Sequence, residues 1–490
     1  MSAETAKGRD ITDRSIQHAL LKACKTRRNG LSTADISALS GLPLPVVRQA
    51  APAFADEFRG RIQVSERGEL IWSFPQGFTS RYTGFLPRTR RILEKARGIT
   101  LKILSTLFKG WILFTLVGYF LLFVLLSIAS VVALSAASMA GNSEGRSSRR
   151  SGGIGGFFLA SRFIELAMRL WLYSELTRPS DGFNGRAWKT KNVKKTPLHQ
   201  SIFDFVFGPP DPNADLEERQ TRAFADIVTK SGGVTSLGEY SGLSAESPER
   251  AGEQLLGWCS RFEGRVDVDD EGTVLYCFDA LLERNSVSRT PAWPEEKERV
   301  WSTNRKSLNR AFILINGVNL VFGSYFVWQH LHFAAGGLPG SLSFLYQVTL
   351  SLVAALPAAI PLLYIALGLV PLAFSLLFWL IPLFRYRTLS RFNRTLREKR
   401  KEDTLERAIW TAAQGEKALK VHRDADSATR RILARMAALG ETESHTDEEG
   451  HSLWRFKTLE REARALEKAR KTSRRAGTGS VIFDSHKPLS

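Results

Sequence analysis

Two clusters of charged side chains at helical spacing carry the clearest chemical potential in this sequence. Arg430, Arg431 and Arg435 lie in SATRRILARMAAL, where the apolar period predicts a helix with one basic face. Such a face attracts the phosphates of nucleic acid or of an anionic surface. Arg162 and Arg169 flank Glu165 on or near one face of an apolar helix. Charges in such a helix indicate an intramembrane function or an interfacial position.

The cysteines and histidines indicate no enzyme chemistry. Cys24, Cys259 and Cys277 are scattered, with no CxxC motif and no histidine at ligand spacing. His330 and His332 lie two residues apart, so on a helix they do not share a face, which disfavours ligation. No phosphate-binding GxxxxGKS/T spacing and no nucleophile elbow occurs. We therefore predict no enzyme, no cofactor and no metal site.

Three short strings follow one pattern. GELIWSF (68–74), GTVLYCF (272–278) and GHSLWRF (450–456) each open with Gly and end in an aromatic residue, any residue and Phe. Period-two apolar spacing after a Gly predicts the returning strand of a β-hairpin whose turn contains that Gly. The first two strings also share an upstream match, because SALSGL (37–42) corresponds to GEYSGL (238–243). The sequence therefore predicts an internal repeat.

Each copy predicts a helix, a short helix ending at a Gly turn, a third helix and a hairpin. This order resembles the winged helix-turn-helix superfamily over residues 10–78 and 216–284. The third copy, residues 402–457, keeps a first helix, a third helix and the hairpin but lacks the SGL box. The resemblance implies that a third helix and a wing contact DNA, or that the module serves protein docking.

The location of the positive charge bears on that choice. The net charge is +19, which favours acidic partners. In the first copy, the third helix offers Arg48 beside Asp56 and Glu57, and in the second copy charges nearly balance. A basic third helix occurs in the third copy. Much of the remaining excess lies beside apolar runs, where Lys and Arg set topology and attract anionic lipid.

A second resemblance lies ahead of the second copy. SIFDFVFGPPDPNADLEER (201–219) is similar to a box in an uncharacterised family of bacterial multi-pass membrane proteins with chloroplast relatives. Gly208, Pro209 and Pro210 predict an extended or turn element there. The resemblance implies a membrane protein and no particular activity.

Two apolar blocks are long enough to cross a membrane. No charged residue occurs in Trp111–Ala140 or in Ala311–Phe384, and about 20 apolar residues suffice for one crossing. Basic residues flank these blocks, which predicts cytoplasmic flanks and an even number of crossings for each block. The segment 157–176 is either a return span or an interfacial helix. The predicted location is the bacterial inner membrane, with the soluble modules cytoplasmic.

The predicted fold class is an α+β multidomain membrane protein with three small winged-helix-like modules joined by helical transmembrane blocks. The predicted segments are 1–84 (module 1), 85–110 (basic juxtamembrane helix), 111–140 (transmembrane), 141–156 (Gly/Ser/Arg loop), 157–176 (amphipathic or transmembrane helix), 177–215 (linker), 216–284 (module 2), 285–310 (juxtamembrane helix), 311–333 (transmembrane), 341–384 (Pro-interrupted transmembrane block), 385–401 (basic juxtamembrane helix), 402–457 (module 3), 458–476 (basic helix) and 477–490 (disordered tail).

Two functions follow from this organisation. The favoured one is an integral membrane scaffold that presents the modules at the cytoplasmic face to an unidentified protein, without catalysis. It is favoured because the third helices of two copies lack a basic surface. The alternative is a membrane-tethered, nucleic-acid-binding regulator that acts through module 3 and the arginines at 430, 431 and 435. A transporter component is a remote third, suggested by the charges at 162, 165 and 169.

Overall fold

The chain combines helices with small antiparallel sheets in two compact units. The computed structural model describes residues 13–78, 85–140, 197–353, 360–414, 418–422, 424–473 and 480–485. The first unit, here called the module unit, contains Met1–Arg90, Asp211–Glu298 and Asn393–Ser490. The second, called the helical unit, contains Arg91–Pro210 and Arg299–Phe392.

The elements are numbered in chain order. The α-helices are α1 (Asp13–Thr26), α2 (Thr33–Ser40), α3 (Leu44–Glu57), α4 (Phe85–Ala140), α5 (Leu198–Phe207), α6 (Leu216–Lys230), α7 (Leu237–Ser244), α8 (Pro248–Phe262), α9 (Lys306–Ala334), α10 (Phe344–Val353), α11 (Ile360–Leu363), α12 (Val370–Ala413), α13 (Ser427–Ala437) and α14 (Lys457–Thr472). The strands are β1 (Leu31–Ser32), β2 (Arg61–Ser65), β3 (Leu70–Ser73), β4 (Val234–Ser236), β5 (Arg265–Val268), β6 (Val274–Cys277), β7 (Leu419–Val421), β8 (Thr442–Thr446), β9 (Ser452–Phe456) and β10 (Val481–Asp484). Short 3₁₀ helices cover Asp279–Glu283 and Ser341–Ser343, and a π-helix covers Tyr364–Leu369.

The described part of the module unit contains three small sheets with one arrangement in common. Their strand orders are β1-β3-β2-β10, β4-β6-β5 and β7-β9-β8, and neighbouring strands are antiparallel. The central strands β3, β6 and β9 come from the three Gly-led strings. Gly68, Gly272 and Gly450 precede them with φ of 79°, 79° and 81°, a conformation that other residues adopt only with strain. Each string thus returns along its hairpin partner from a tight turn.

Helix boundaries in the module unit follow from local chemistry. Ser32 and Asp35 form a capping box at the start of α2, and Gly41 ends that helix in the left-handed region. The Gly turn predicted at Gly242 is corrected, because α7 continues to Ser244 and Ala245 carries the positive φ of 56°. A Cβ at Gly242 would stand 3.0 Å from Trp410 Cβ, so the glycine permits close packing of α12.

Each sheet covers its own apolar core. The largest fully buried side chains of the first core include Trp72 and Phe74, and those of the second include Phe224, Phe262 and Phe278. The third core contains the buried side chains Trp410, Ile432 and Phe456. These three cores place the charged residues described below on helices and turns that are fixed by packing.

Three predicted segments need correction. Residues 198–207 of the predicted linker form helix α5. The helix ends at Gly208, and the following Pro209 cannot continue it. The predicted helix at 285–310 begins at Lys306, because Pro291 and Pro294 break the preceding stretch. Val481–Asp484, predicted to be disordered, is strand β10 paired with β2. The segments 141–156 and 157–176, with Arg162, Glu165 and Arg169, lie outside the described residues.

Among the residues that the structure describes, three helices are long and apolar enough to cross a membrane. These stretches are Ser105–Ala133, Lys306–Ala334 and Pro361–Ala413, the last of which continues into the module unit. Phe123 of α4 stacks on Phe322 of α9, with ring centroids 4.8 Å apart. Glycines permit close packing elsewhere, because a Cβ at Gly323 would meet the Leu372 backbone nitrogen at 2.9 Å.

Buried amides link the same helices. Asn319 Nδ2 donates to the Leu116 carbonyl at 2.8 Å, and Asn316 Nδ2 donates to the Ser375 carbonyl at 3.1 Å. Both asparagine side chains lie on α9, and both residues are fully buried. In an apolar core such bonds specify which helices pack together, because an unpaired amide there is unfavourable.

Candidate interaction site

The predicted arginine cluster lies on α13 and contacts acidic residues of α12. Arg435 Nη2 is 3.1 Å from Glu406 Oε2, and Arg431 Nη2 is 3.4 Å from Glu402 Oε1. Glu406 is buried, whereas Arg431 keeps 65% of its side chain exposed. Arg430 also makes an interaction. The basic face is therefore partly neutralised by the helix against which it packs.

The basic helix predicted at 458–476 is neutralised more completely. Every Lys and Arg of α14 has a carboxylate partner within the module unit. The pairs are Lys457 with Glu443, Arg461 with Glu441, Arg464 with Glu271, Lys468 with Asp269 and Asp270, Arg470 with Glu239, and Lys471 with Glu467. Three of these residues reach carboxylates of module 2, so α14 joins modules 2 and 3.

Apolar and polar contacts fix α14 against module 2. Ala465 and Leu466 pack in one buried cluster with Val234, Leu275 and Cys277. Beside that cluster, α14 also supplies Glu462, which accepts a hydrogen bond from the Gly238 nitrogen at 2.9 Å. Burial raises the pKa of Glu462, although the hydrogen bonds from Ser236 and from the Gly238 nitrogen lower it.

A buried network of charges joins modules 1 and 2. The Arg284 side chain is fully buried; Nε lies 3.3 Å from Asp35 Oδ1, and Nη2 lies 2.7 Å from Asp226 Oδ1. Asp35 also accepts hydrogen bonds from the backbone nitrogens of Asn285 and Ser286, at 2.9 and 3.0 Å. Because Asp35 also takes part in the capping box of α2, this joint fixes a helix of module 1 to the end of module 2.

Further charges line the same joint. Arg48 Nη1 and Glu263 Oε2 are 2.9 Å apart, and Lys22 pairs with Glu218. Glu283 behaves differently: burial and the neighbouring Glu69 carboxyl raise its pKa to about 8. The joint therefore contains one carboxyl group that holds a proton near neutral pH.

Strand β10 adds a fourth strand to the sheet of module 1. Asp484 pairs with Arg61 and accepts a hydrogen bond from Gln63 Nε2 at 2.9 Å. The Ser485 nitrogen donates to the Ile62 carbonyl at 3.0 Å. The C-terminal part of the chain thus contacts module 2 through α14 and module 1 through β10.

A cleft of 360 Å³ lies in the module unit between module 2, the 293–296 stretch and α12. Its aromatic wall contains Tyr240, Trp258 and Trp293. Trp258 Nε1 donates to the Tyr240 hydroxyl at 2.9 Å, and that hydroxyl donates to Gln254 Oε1 at 2.8 Å. Burial raises the pKa of Tyr240 to about 12, so this hydroxyl stays neutral.

The charged wall of the cleft is mostly paired. Arg407 Nη1 lies 3.1 Å from Glu295 Oε1, and Arg261 Nη2 lies 3.2 Å from Glu217 Oε1. Asp403 makes no ion pair or hydrogen bond with any residue that the structure describes, and it is half-buried. The cleft therefore combines the partly exposed rings of Trp258 and Trp293 with the Asp403 carboxylate, whose electrostatic partners are Lys399 and Arg407. Aromatic rings beside a carboxylate suit a cationic group.

One group of side chains has the composition of a metal site. Among the described residues, Asp447, Glu449 and His451 each place a ligand atom within 4.8 Å of the others. All three belong to the β8–β9 turn of module 3. Sequence reasoning missed them, although their spacing of two residues was a usable signal in a hairpin.

Sequence reasoning also missed Arg284 and the cleft. Asp35 was detectable as a capping residue, because Ser32 precedes it by three positions. No local pattern links it to Arg284, which is 249 residues away. The aromatic residues of the cleft are likewise separated along the chain, so neither site leaves a local motif.

The chain is similar to a protein of Arabidopsis thaliana described as uncharacterized and chloroplastic. The two are 24% identical over 391 residues, which cover 76% of this chain and 68% of the relative. No family model matches the chain, and no solved structure matches it. The relative's description contradicts the prediction of a bacterial inner membrane, and that prediction is wrong. The relative's description names no activity.

Proposed function

We propose that this protein is an integral membrane scaffold in which three winged-helix-like modules form one platform for a partner protein. The pairing of α14 with modules 2 and 3 supports this proposal most directly, because five of its six basic residues form ion pairs with carboxylates of those modules. Lys471 pairs within the helix, with Glu467. The joint at Arg284 and strand β10 support it further, since each ties module 1 to later parts of the chain. No catalytic role is proposed.

The membrane part of the proposal rests on the three long apolar helices. Their stretches exceed the about 20 residues that one crossing needs. Because the three modules share one compact unit, they occupy the same side of the membrane. Each intervening part of the chain then crosses an even number of times, and α9 with the stretch Pro361–Ala413 supplies two crossings.

The partner proposed for the cleft is a protein segment that presents a Lys or Arg side chain. A cation over Trp293 gains a cation–π interaction, of about 0.5–2 kcal/mol depending on desolvation. Trp258 is already engaged, because its ring stacks on Phe224 with centroids 4.8 Å apart. The Asp403 carboxylate adds an opposite charge at the same place. Arg261 already lies 5.5 Å from the Trp258 ring centroid, which illustrates the affinity of this wall for a guanidinium group.

The nucleic-acid alternative receives less support. Phosphate binding requires Lys and Arg that are available to exchange their counterions. The six basic residues of α14 have carboxylate partners instead, and two of the three arginines on α13 contact α12. The pairing leaves a smaller basic surface than the sequence alone implies.

Peptide selection on the full chain in detergent tests the proposal. A displayed random peptide library is selected against the wild-type chain and against the Trp293→Ala variant. We expect enrichment of Lys- or Arg-containing peptides that the variant loses, while the control Trp328→Ala retains it, since Trp328 lies on α9 in the helical unit. Enrichment without basic residues, or equal enrichment on both variants, contradicts the proposal.

A second measurement addresses the nucleic-acid alternative. Fluorescence anisotropy of a labelled random-sequence duplex is followed against the same full chain at low ionic strength, where phosphate contacts are strongest. We expect no saturable binding. Saturable, salt-sensitive binding that is lost on changing Arg430, Arg431 and Arg435 to Ala would favour the regulator instead.

A further inference from the structure

The third wing places two histidines just beyond the paired ends of adjacent strands, His422 after β7 and His451 before β9. Strands β7 and β9 pair in the register Lys420 with Leu453 and Val421 with Ser452. His422 and His451 are the next residues beyond the last of these pairs, and their rings are in contact. Their ring centroids are 4.8 Å apart at an interplanar angle of 72°. Cross-strand neighbours at this spacing can bring two imidazole nitrogens to a single ion.

Two carboxylates of the wing turn converge on the same place. His451 Nδ1 is 3.5 Å from Asp447 Oδ1 and 3.4 Å from Glu449 Oε2. The turn holds this arrangement, because the Asp447 nitrogen donates to the His451 carbonyl at 2.9 Å and the His451 nitrogen donates to Asp447 Oδ1 at 2.7 Å. The side chains are therefore positioned by the backbone of a hairpin.

Two details show that this place suits a cation. His451 Nδ1 is buried and makes no hydrogen bond within the described part of the chain, although it points toward two carboxylates. Lys420 extends its ammonium group between the same carboxylates, 3.2 Å from Asp447 Oδ2 and 2.9 Å from Glu449 Oε2. The lysine supplies positive charge where a metal ion would otherwise supply it.

The corresponding turn of module 2 lacks this ligand set. It contains Asp269 and Asp270, which pair with Lys468, but Thr273 follows its Gly where His451 follows Gly450. The module 2 turn thus has carboxylates and a lysine without an imidazole. This difference separates a metal-ligand set from an ordinary acidic turn paired with lysine.

We propose that the third wing binds Zn²⁺ through His451, Asp447 and Glu449, whose ligand atoms lie within 4.8 Å of one another. The exposed His422 side chain supplies the fourth ligand after it turns away from Asp424, whose nitrogen donates to His422 Nδ1 at 3.3 Å. Two imidazoles and two carboxylates form a four-ligand set of the types that zinc takes in tetrahedral sites. Binding displaces the Lys420 ammonium, which is half-exposed and free to move into solvent. The site lies at the tip of module 3 and does not depend on the partner proposed for the cleft.

Metal titration of the full chain in detergent tests this inference. Zn²⁺ binding is measured by competition with a chromophoric chelator, and Co²⁺ substitution reports the geometry through visible absorption. We expect one ion per chain with tetrahedral absorption. Changing His451 or His422 to Ala is expected to weaken binding by about 10- to 100-fold or more, since loss of even a supporting group has that effect.

Two further variants make the outcome decisive. His445→Ala removes an exposed histidine of β8 and is expected to leave affinity unchanged. Lys420→Ala removes the competing charge and is expected to tighten binding several-fold. The inference is overturned if no stoichiometric binding occurs, if His445→Ala weakens binding as much as His451→Ala, or if Lys420→Ala weakens it.

Discussion

Replacing Arg284 by Met is expected to destabilise the module unit strongly. The guanidinium contacts two carboxylates, Asp35 at 3.3 Å and Asp226 at 2.7 Å, and all three side chains are buried. Removing one member of a buried ion network leaves uncompensated charge and costs about 3–5 kcal/mol. Asp35 keeps its backbone donors, so the lower part of this range is expected.

Urea unfolding of the full chain in detergent, followed by tryptophan fluorescence, measures the effect. The matched control is Arg250→Met, because Arg250 pairs with Glu246 at 3.7 Å and keeps 74% of its side chain exposed. An exposed pair of this kind contributes about 0–0.5 kcal/mol. The reasoning is refuted if Arg284→Met and the control change the free energy of unfolding equally.

A compensated variant separates charge from packing. Changing Asp35 and Asp226 to Asn together with Arg284→Met removes all the buried charge at once. Replacement of a whole buried ion network by neutral groups is often close to neutral. The triple variant should therefore recover part of the stability that Arg284→Met loses. No recovery would mean that the lost contacts are steric rather than electrostatic.

Three further predictions concern protonation, the C-terminal strand and topology. The pKa of Glu283 is about 8 in the folded protein and 4.5 ordinarily, so the folded state holds a proton that the unfolded chain loses; stability falls as pH rises from about 5 to 8. The Glu283→Gln variant should lack that fall, so at pH 9 it should be more stable than the wild type by about 1–2 kcal/mol after allowance for solvent screening. Thermal unfolding of both proteins at about pH 5 and about pH 9 checks this. Asp484→Ala should weaken the pairing of β10 with β2, because it removes the partner of Arg61. Amide hydrogen exchange should then become faster at Ile62 of β2 and stay unchanged at Val268 of β5. A single cysteine at Ser135, near the end of α4, should react with an impermeant thiol reagent from the side opposite the modules; reaction from the module side contradicts the proposed crossing.

Local chemistry made some parts of this structure predictable. The Gly at 68, 272 and 450 has the positive φ that a tight hairpin turn needs, so three hairpins could be placed from the sequence. The Ser32 capping box likewise marks the start of α2. The long apolar helices follow from the absence of charge over more than a bilayer's thickness.

Other features depend on contacts between distant residues. The segment that contains α5 was predicted as a linker with an extended or turn element, because Gly208 and the prolines follow it closely. These residues end the helix and do not prevent it, since they lie after Phe207. The segment 458–476 was predicted as a basic helix, and its sequence does not show what faces that charge. Its carboxylate partners, such as Glu239 and Asp270, come from module 2, and no local signal links them. Net charge therefore overstated the basic surface that the folded chain presents.

The pair formed by Glu239 and Arg470 tests the proposed platform most directly. Arg470 Nη2 lies 2.6 Å from both carboxylate oxygens of Glu239, which joins α14 to module 2. A double-mutant cycle on the full chain, with each residue changed to Ala singly and together, isolates their interaction. We expect a coupling free energy of about 1–3 kcal/mol, measured by urea unfolding. Additive single effects, with no coupling, contradict the claim that α14 joins the modules into one platform.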